Sequence, residues 1–148
     1  MHIKLFTLIV LIISSTTLQA QKAKVQWKFA SKKVQNDKIE IVMTATVPSG
    51  WHIYSQFTGE GPVATAFTFN NNALVQLDGA VKEKGKLITI NDDIWKNKQK
   101  FYSGTVQFVQ VVKLKAKIKT NISGEVEYMI CDDSSCLPPT TQKFNITL

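Results

Sequence analysis

Apolar side chains recur at every second residue along most of this chain, and that period constrains the fold more than any other feature. Ile39, Ile41, Met43, Ala45 and Val47 form a five-point alternation that Pro48-Ser49-Gly50 closes. A pleated strand sends successive side chains to opposite faces, so such a run buries one face and wets the other. The same pattern recurs at Val25, Trp27 and Phe29, at Trp51 and Ile53, at Phe67 and Phe69, and at Val126, Tyr128 and Ile130. Further runs cover Leu87, Ile88 and Ile90, then Val106, Phe108 and Val112, then Ala116 and Ile118, then Phe144, Ile146 and Leu148. Gly, Pro, Asn and Asp punctuate them. No stretch of about ten residues carries a 3.6-residue apolar repeat. The expected fold is all-β: roughly seven to nine short strands in an immunoglobulin-like antiparallel β-sandwich. Gln56 to Ala66, holding Gly59, Gly61 and Pro62, is expected to be a loop.

The 148 residues suit one domain. The one long apolar run, Ile3 to Ile13, follows a short basic start at Lys4 and precedes Leu18-Gln19-Ala20-Gln21. It is well short of the roughly twenty apolar residues a membrane span needs. Residues 1–20 therefore read as a secretory signal peptide cut after Ala20. Residues 21–148 are then an exported domain with no membrane span of its own. Of the two histidines, His2 falls in this leader, which leaves His52.

The chain carries a formal charge of +7, and its 18 basic residues are all lysine. Nucleic-acid readers lean on the bidentate arginine fork, so no nucleic-acid partner is expected. Lys113, Lys115, Lys117 and Lys119 are spaced by two and read as one solvated strand face.

The residues able to do chemistry are few. Outside the leader there are one histidine, His52, and two cysteines, Cys131 and Cys136. No nucleophile elbow, phosphate loop or dinucleotide fingerprint is present. Two cysteines and a histidine lack the paired short spacings of a zinc site, so no metal and no cofactor is expected. Soft ligands at His52, Met129, Cys131 and Cys136 would suit Cu(I) only if the fold brought them together. Asp92-Asp93 and Asp132-Asp133 are neighbouring acids of the kind that form turns.

The sharp feature is Tyr128-Met129-Ile130-Cys131-Asp132-Asp133-Ser134-Ser135-Cys136-Leu137-Pro138-Pro139. An apolar strand runs into one cysteine, four polar residues follow, and two prolines come just after the second. Export permits a disulfide, and an even count of two makes one intrachain bridge the expectation. A six-residue ring is worth about 2 kcal/mol in the chain-entropy model, against more than 4 for a loop near a hundred residues. A short ring at a strand end is thus a weak staple but an accessible electrophile. Two readings stay open on residues alone: an exchange module, or an exported binding or structural sandwich whose disulfide tidies a loop.

At these residues the chain resembles the N-terminal periplasmic domain of the thiol:disulfide interchange protein DsbD, an immunoglobulin-like module. Cys-x₄-Cys-Leu-Pro-Pro after a tyrosine-led strand carries the resemblance. Gly50-Trp51-His52-Ile53-Tyr54 supports it, being similar to the family's Gly-aromatic-x-hydrophobic-Tyr segment. The likeness spans roughly residues 24–148. It implies a relay of the protein-disulfide-reductase type, in which electrons arrive from a thioredoxin-like donor and leave to oxidised periplasmic clients. It implies that Cys136 forms the mixed disulfide with partners and that Cys131 resolves it. His52 and Tyr54 stand where the family has two tyrosines. A cap loop covers the family's disulfide, and Asp92-Asp93-Ile94-Trp95 is the best match to it, with Phe101-Tyr102 the second choice. The cysteine spacing is one residue shorter than in the best-known members.

Overall fold

The computed structural model describes residues 23–148 apart from Asn36, so the expected leader lies outside the described residues. Eleven strands and no helix fill the described residues. They are β1 (Gln26–Lys33), β2 (Lys38–Thr46), β3 (His52–Tyr54), β4 (Ala66–Phe69), β5 (Val75–Lys84), β6 (Ile88–Asp92), β7 (Asn97–Tyr102), β8 (Thr105–Leu114), β9 (Asn121–Tyr128), β10 (Ile130–Cys131) and β11 (Thr140–Thr147). All pairings are antiparallel. One sheet runs β1-β2-β8-β5, a second β10-β3-β7-β6 and a third β11-β9-β4. The first forms one layer of an immunoglobulin-like sandwich, and the other two supply side chains to the opposite wall of the same core.

The five-point alternation explains the centre. Ile39, Ile41, Met43, Ala45 and Val47 are all buried, with Lys38, Glu40, Val42 and Thr44 between them on the other face. They meet Ile122, Val126 and Tyr128 from β9 and Phe144 and Ile146 from β11. Trp27 ties the layers together. Its ring stacks on Phe29 at 5.8 Å and meets Phe67 edge-on at 6.3 Å, with Phe108 and Tyr128 at 5.9 and 5.5 Å. Such offset and edge contacts add about 0.5–1.5 kcal/mol per pair beyond simple area burial. Gly124 lies between Phe69 and Phe144 in the ladder, and a Cβ there would run into the Thr68 carbonyl and the Phe144 ring.

Two strands lack the expected alternation and one expected strand is absent. β5 reads VQLDGAVKEK, is mostly exposed, and is broken by a register shift between Asp78 and Lys82 around Gly79 at φ +75°. It is an edge strand, where polar side chains cost nothing. β7 reads NKQKFY and buries a polar residue, Gln99, on the face opposite core-facing Tyr102. Ala116 and Ile118 sit in bends after β8, not in a strand, and Ile118 is exposed. Lys115, Lys117 and Lys119 are solvated as expected, but on irregular backbone, and only Lys113 belongs to a strand.

The chain changes sheets at Met129. Tyr128 ends β9 in the third sheet, and Ile130 opens β10 beside β3 in the second. That step carries the two cysteines away from the core ladder and onto the edge of the second sheet.

A cleft built around the disulfide

The outward face of the second sheet is decided by its register. Ile53 faces the core and pairs with Ile130 on one side and Tyr102 on the other, all three buried there. The neighbouring residues must then face the other way. His52 pairs with Cys131, and Tyr54 pairs with Phe101. These four side chains line one open cleft of about 870 Å³.

Cys131 and Cys136 form a disulfide across a tight hairpin, with Cα atoms 4.0 Å apart. The Leu137 amide donates to the Ile130 carbonyl and the Asp132 amide to the Ser135 carbonyl, both at 2.9 Å. The cysteines are thus the non-hydrogen-bonded pair between two bonded ones, where facing side chains come closest. Asp132 closes the turn: one carboxylate oxygen accepts from the Ser134 and Ser135 amides at 2.8 and 2.7 Å and from both hydroxyls. Those amide bonds hold the Asp132 carboxyl below its ordinary value. The two sulfurs are not equivalent. Cys131 is 2% exposed, whereas Cys136 is open to solvent.

The β6–β7 tip forms another wall. Asp92 accepts the amides of Ile94 and Trp95 at 2.8 and 2.9 Å, which folds Asp93 to Lys96 into a turn. Ile94 projects into solvent at 82% exposure. Trp95 lies over Gly61, whose φ of +120° and missing Cβ make room for the indole. Beneath it, buried Gln99 ties the 56–62 loop to β7. Its amide donates to the Glu60 carbonyl at 3.0 Å and to Asn97, and its carbonyl accepts from the Thr58 hydroxyl.

His52 stands in the middle. Its ring packs on Phe101 at 4.3 Å and meets Tyr54 edge-on at 5.2 Å, with Nε2 3.3 Å from the Tyr54 hydroxyl. Burial pushes its pKa below the usual value, and the carboxylates of Asp133, Asp132 and Asp92 act in the opposite sense. Burial also raises the Tyr54 phenol, with Asp92 adding to the effect.

The cleft gathers Cys131, Cys136, His52, Tyr54, Asp92, Ile94 and Trp95, seven of the eight residues singled out from sequence. Asp93 is exposed on the tip and does not line it. The second choice for a cap is not one: Phe101 lies within β7 on the cleft floor, and Tyr102 faces the core. The copper set does not assemble. Met129 turns away, its sulfur accepting the Val63 amide at 3.3 Å. Among the described residues no three His, Cys, Asp or Glu side chains converge as a metal site. Gln99 escaped the sequence reading, and Gly61 entered it only as a loop residue. The only signal for Gln99 was its position two residues before Phe101, on the same strand face.

The family model described as "Thiol:disulfide interchange protein DsbD, N-terminal" matches residues 15–148. No curated protein matches the chain. Among solved structures, the N-terminal periplasmic domain of ScsB from Proteus mirabilis aligns at a TM-score of 0.60 with 17% identity, over 82% of this chain and 45% of that one. This chain therefore spans less than half of that structure. The reduced DsbD N-terminal domain of Neisseria meningitidis aligns at 0.51 with 15% identity, over 80% of this chain and 83% of that one. Both likenesses speak to the fold. The match to the family model covers nearly the whole sequence, and on that ground the chain belongs to the DsbD N-terminal domain family.

Proposed function

We propose that the domain is a periplasmic thiol–disulfide exchange module that relays two electrons through Cys131 and Cys136. The observation that carries this reading is the asymmetry of the bridge: one sulfur exposed in an open cleft, its mate buried beneath it. Exchange requires in-line attack by a thiolate on a reachable sulfur, and the exposed one is attacked first. A thiolate of a thioredoxin-like donor attacks Cys136 Sγ. The Cys131–Cys136 bond breaks and Cys131 leaves with the electron pair. The donor's second thiolate then attacks its own sulfur in the mixed disulfide and releases Cys136. Two electrons and two protons have moved, and the donor is oxidised. Toward an oxidised envelope client the sequence reverses, with Cys136 attacking and Cys131 resolving. Ile94 and Trp95 form the cap beside the sulfurs, Asp92 shapes it, and Tyr54 walls the cleft. Membership in the family and the N. meningitidis relative's reduced form support the reading.

The test is a redox titration with trapping. The pair is expected to equilibrate with glutathione or thioredoxin-type buffers at a potential above about −300 mV. A Cys131→Ser variant is expected to accumulate a Cys136-linked adduct with a thioredoxin-like protein. A potential below that value with no adduct would return the bridge to a purely structural role.

A further inference from the structure

The bridge's buried sulfur poses a problem that the relay leaves unsolved. When the bond opens, Cys131 must leave as a thiolate at a site 2% exposed, and a bare anion there is costly. A nearby group must supply the proton, and in the return direction must take it back. The antiparallel register places His52 directly across from Cys131, on the same face, and both line the cleft. Opposed residues in such a ladder hold their Cβ atoms about 5 Å apart. Around the imidazole stand Tyr54 from its own strand, Asp92 from the β6–β7 tip, and Asp132 and Asp133 from the cysteine hairpin. Burial moves the Tyr54 phenol further from neutrality, and among the side chains around this pair an imidazole is the one type that ordinarily changes charge between pH 5 and 8.

We infer that His52 is the proton partner of Cys131, donating as the disulfide opens and accepting as it re-forms. This rests on the exchange reading above. A thiolate R–S⁻ attacks Cys136 Sγ, an S–S bond to the partner forms, and the Cys131–Cys136 bond breaks. The electron pair goes to Cys131 Sγ, the imidazolium proton follows it, and neutral His52 remains beside a thiol. In reverse, neutral His52 takes the proton as Cys131 attacks the mixed disulfide and expels the partner's thiolate. Burial of the ring favours its neutral form, which suits the accepting role near neutrality.

The experiment uses the full domain and a neutral reductant, dithiothreitol. Second-order rates for opening the bridge are measured from pH 5 to 8 in the wild type, in His52→Gln, and in His52→Tyr, which keeps an aromatic ring on Phe101. The wild-type-to-variant ratio cancels the reductant's own titration. The imidazole pKa is read separately from its NMR signal. An adjacent cation lowers a thiol pKa by about one to two units, and a leaving-group sensitivity of the same size as the nucleophile's, about 0.45, converts that into a ratio of about threefold to eightfold. The ratio is expected to rise from near one at pH 8 to that value at pH 5, with its midpoint at the measured imidazole pKa. A ratio flat with pH, or stepping elsewhere, in both variants overturns the role of His52 and leaves the exchange reading intact. A bridge that dithiothreitol opens only upon unfolding sinks both.

Discussion

Two tips face the same cleft and are built the same way. In each, an aspartate at the strand end accepts the amides two and three residues on: Asp92 from Ile94 and Trp95, Asp132 from Ser134 and Ser135. What differs is how each tip is held to the body. The cysteine hairpin is closed on itself by the disulfide and joined to β3 by two residue pairs, Ile130 with Ile53 and Cys131 with His52. The β6–β7 tip has no crosslink, and rests on an indole laid over a glycine above a buried glutamine. The lesson is that a side-chain cap sets a turn's shape, whereas its position relative to a partner must be supplied from below. One tip carries the disulfide and the other carries Ile94 and Trp95, and in the exchange reading proposed above their relative position is what the site must control.

The largest expected effect comes from removing the covalent tie. Cys136→Ser should abolish exchange in a thiol-reductase assay and reduce stability by about 2 kcal/mol, as the small ring implies. Exchange retained above background would refute the assignment of Cys136. Next is the noncovalent tie. Gly61→Val places a β-branched residue at φ +120° and against the Trp95 ring. Strain and overpacking together should cost about 2 kcal/mol or more, read as a lowered midpoint in urea. A neutral result would mean that Trp95 is not seated as described.

The two caps can be compared directly. Asp132→Ala should lower Tm, and the loss should depend on pH in a stated sense. The native pKa lies below the ordinary 3.8, so the cap stabilises fully above that value and its contribution fades as pH falls through the native pKa. Thermal melts of both proteins should therefore diverge above pH 4 and converge near pH 2. A Tm gap constant down to pH 2 would show that the carboxylate's charge is not what holds the turn. His52 works the same way for a base. Its lowered native pKa makes the fold lose stability as pH drops below about 6.5, and His52→Gln should remove that part of the slope. The smallest effect on stability belongs to Ile94→Ala, within about 0.5 kcal/mol for so exposed a side chain. Its rate of exchange with a protein thiol should change nonetheless, if the tip meets the partner.

Much of this was written in plain pattern. The alternation in β2, and the runs through Val25–Phe29 and Val126–Ile130, placed the core because burying one face of a strand demands apolar residues two apart. Cys131 and Cys136 stood out by scarcity. β5 and β7 were illegible because an edge strand and a buried glutamine break the alternation that reveals strands. Ile118 was misleading for the converse reason, an apolar residue on irregular backbone. Asp92-Asp93-Ile94-Trp95 was found as a motif, yet nothing in it told that Asp92 turns inward as a cap while Asp93 points away.

By itself the sequence determined a β-sandwich and one close pair of sulfurs, since both follow from local spacing: a period of two, and six residues of ring. The tertiary structure alone decided which sulfur is open and that the buried one lies across from His52. Those depend on the switch of sheets at Met129, the register that sets Cys131 against His52, and the packing of Trp95 over Gly61. Each is a contact between segments far apart in the chain, and such contacts are fixed by the summed packing of the whole domain, not by any local pattern.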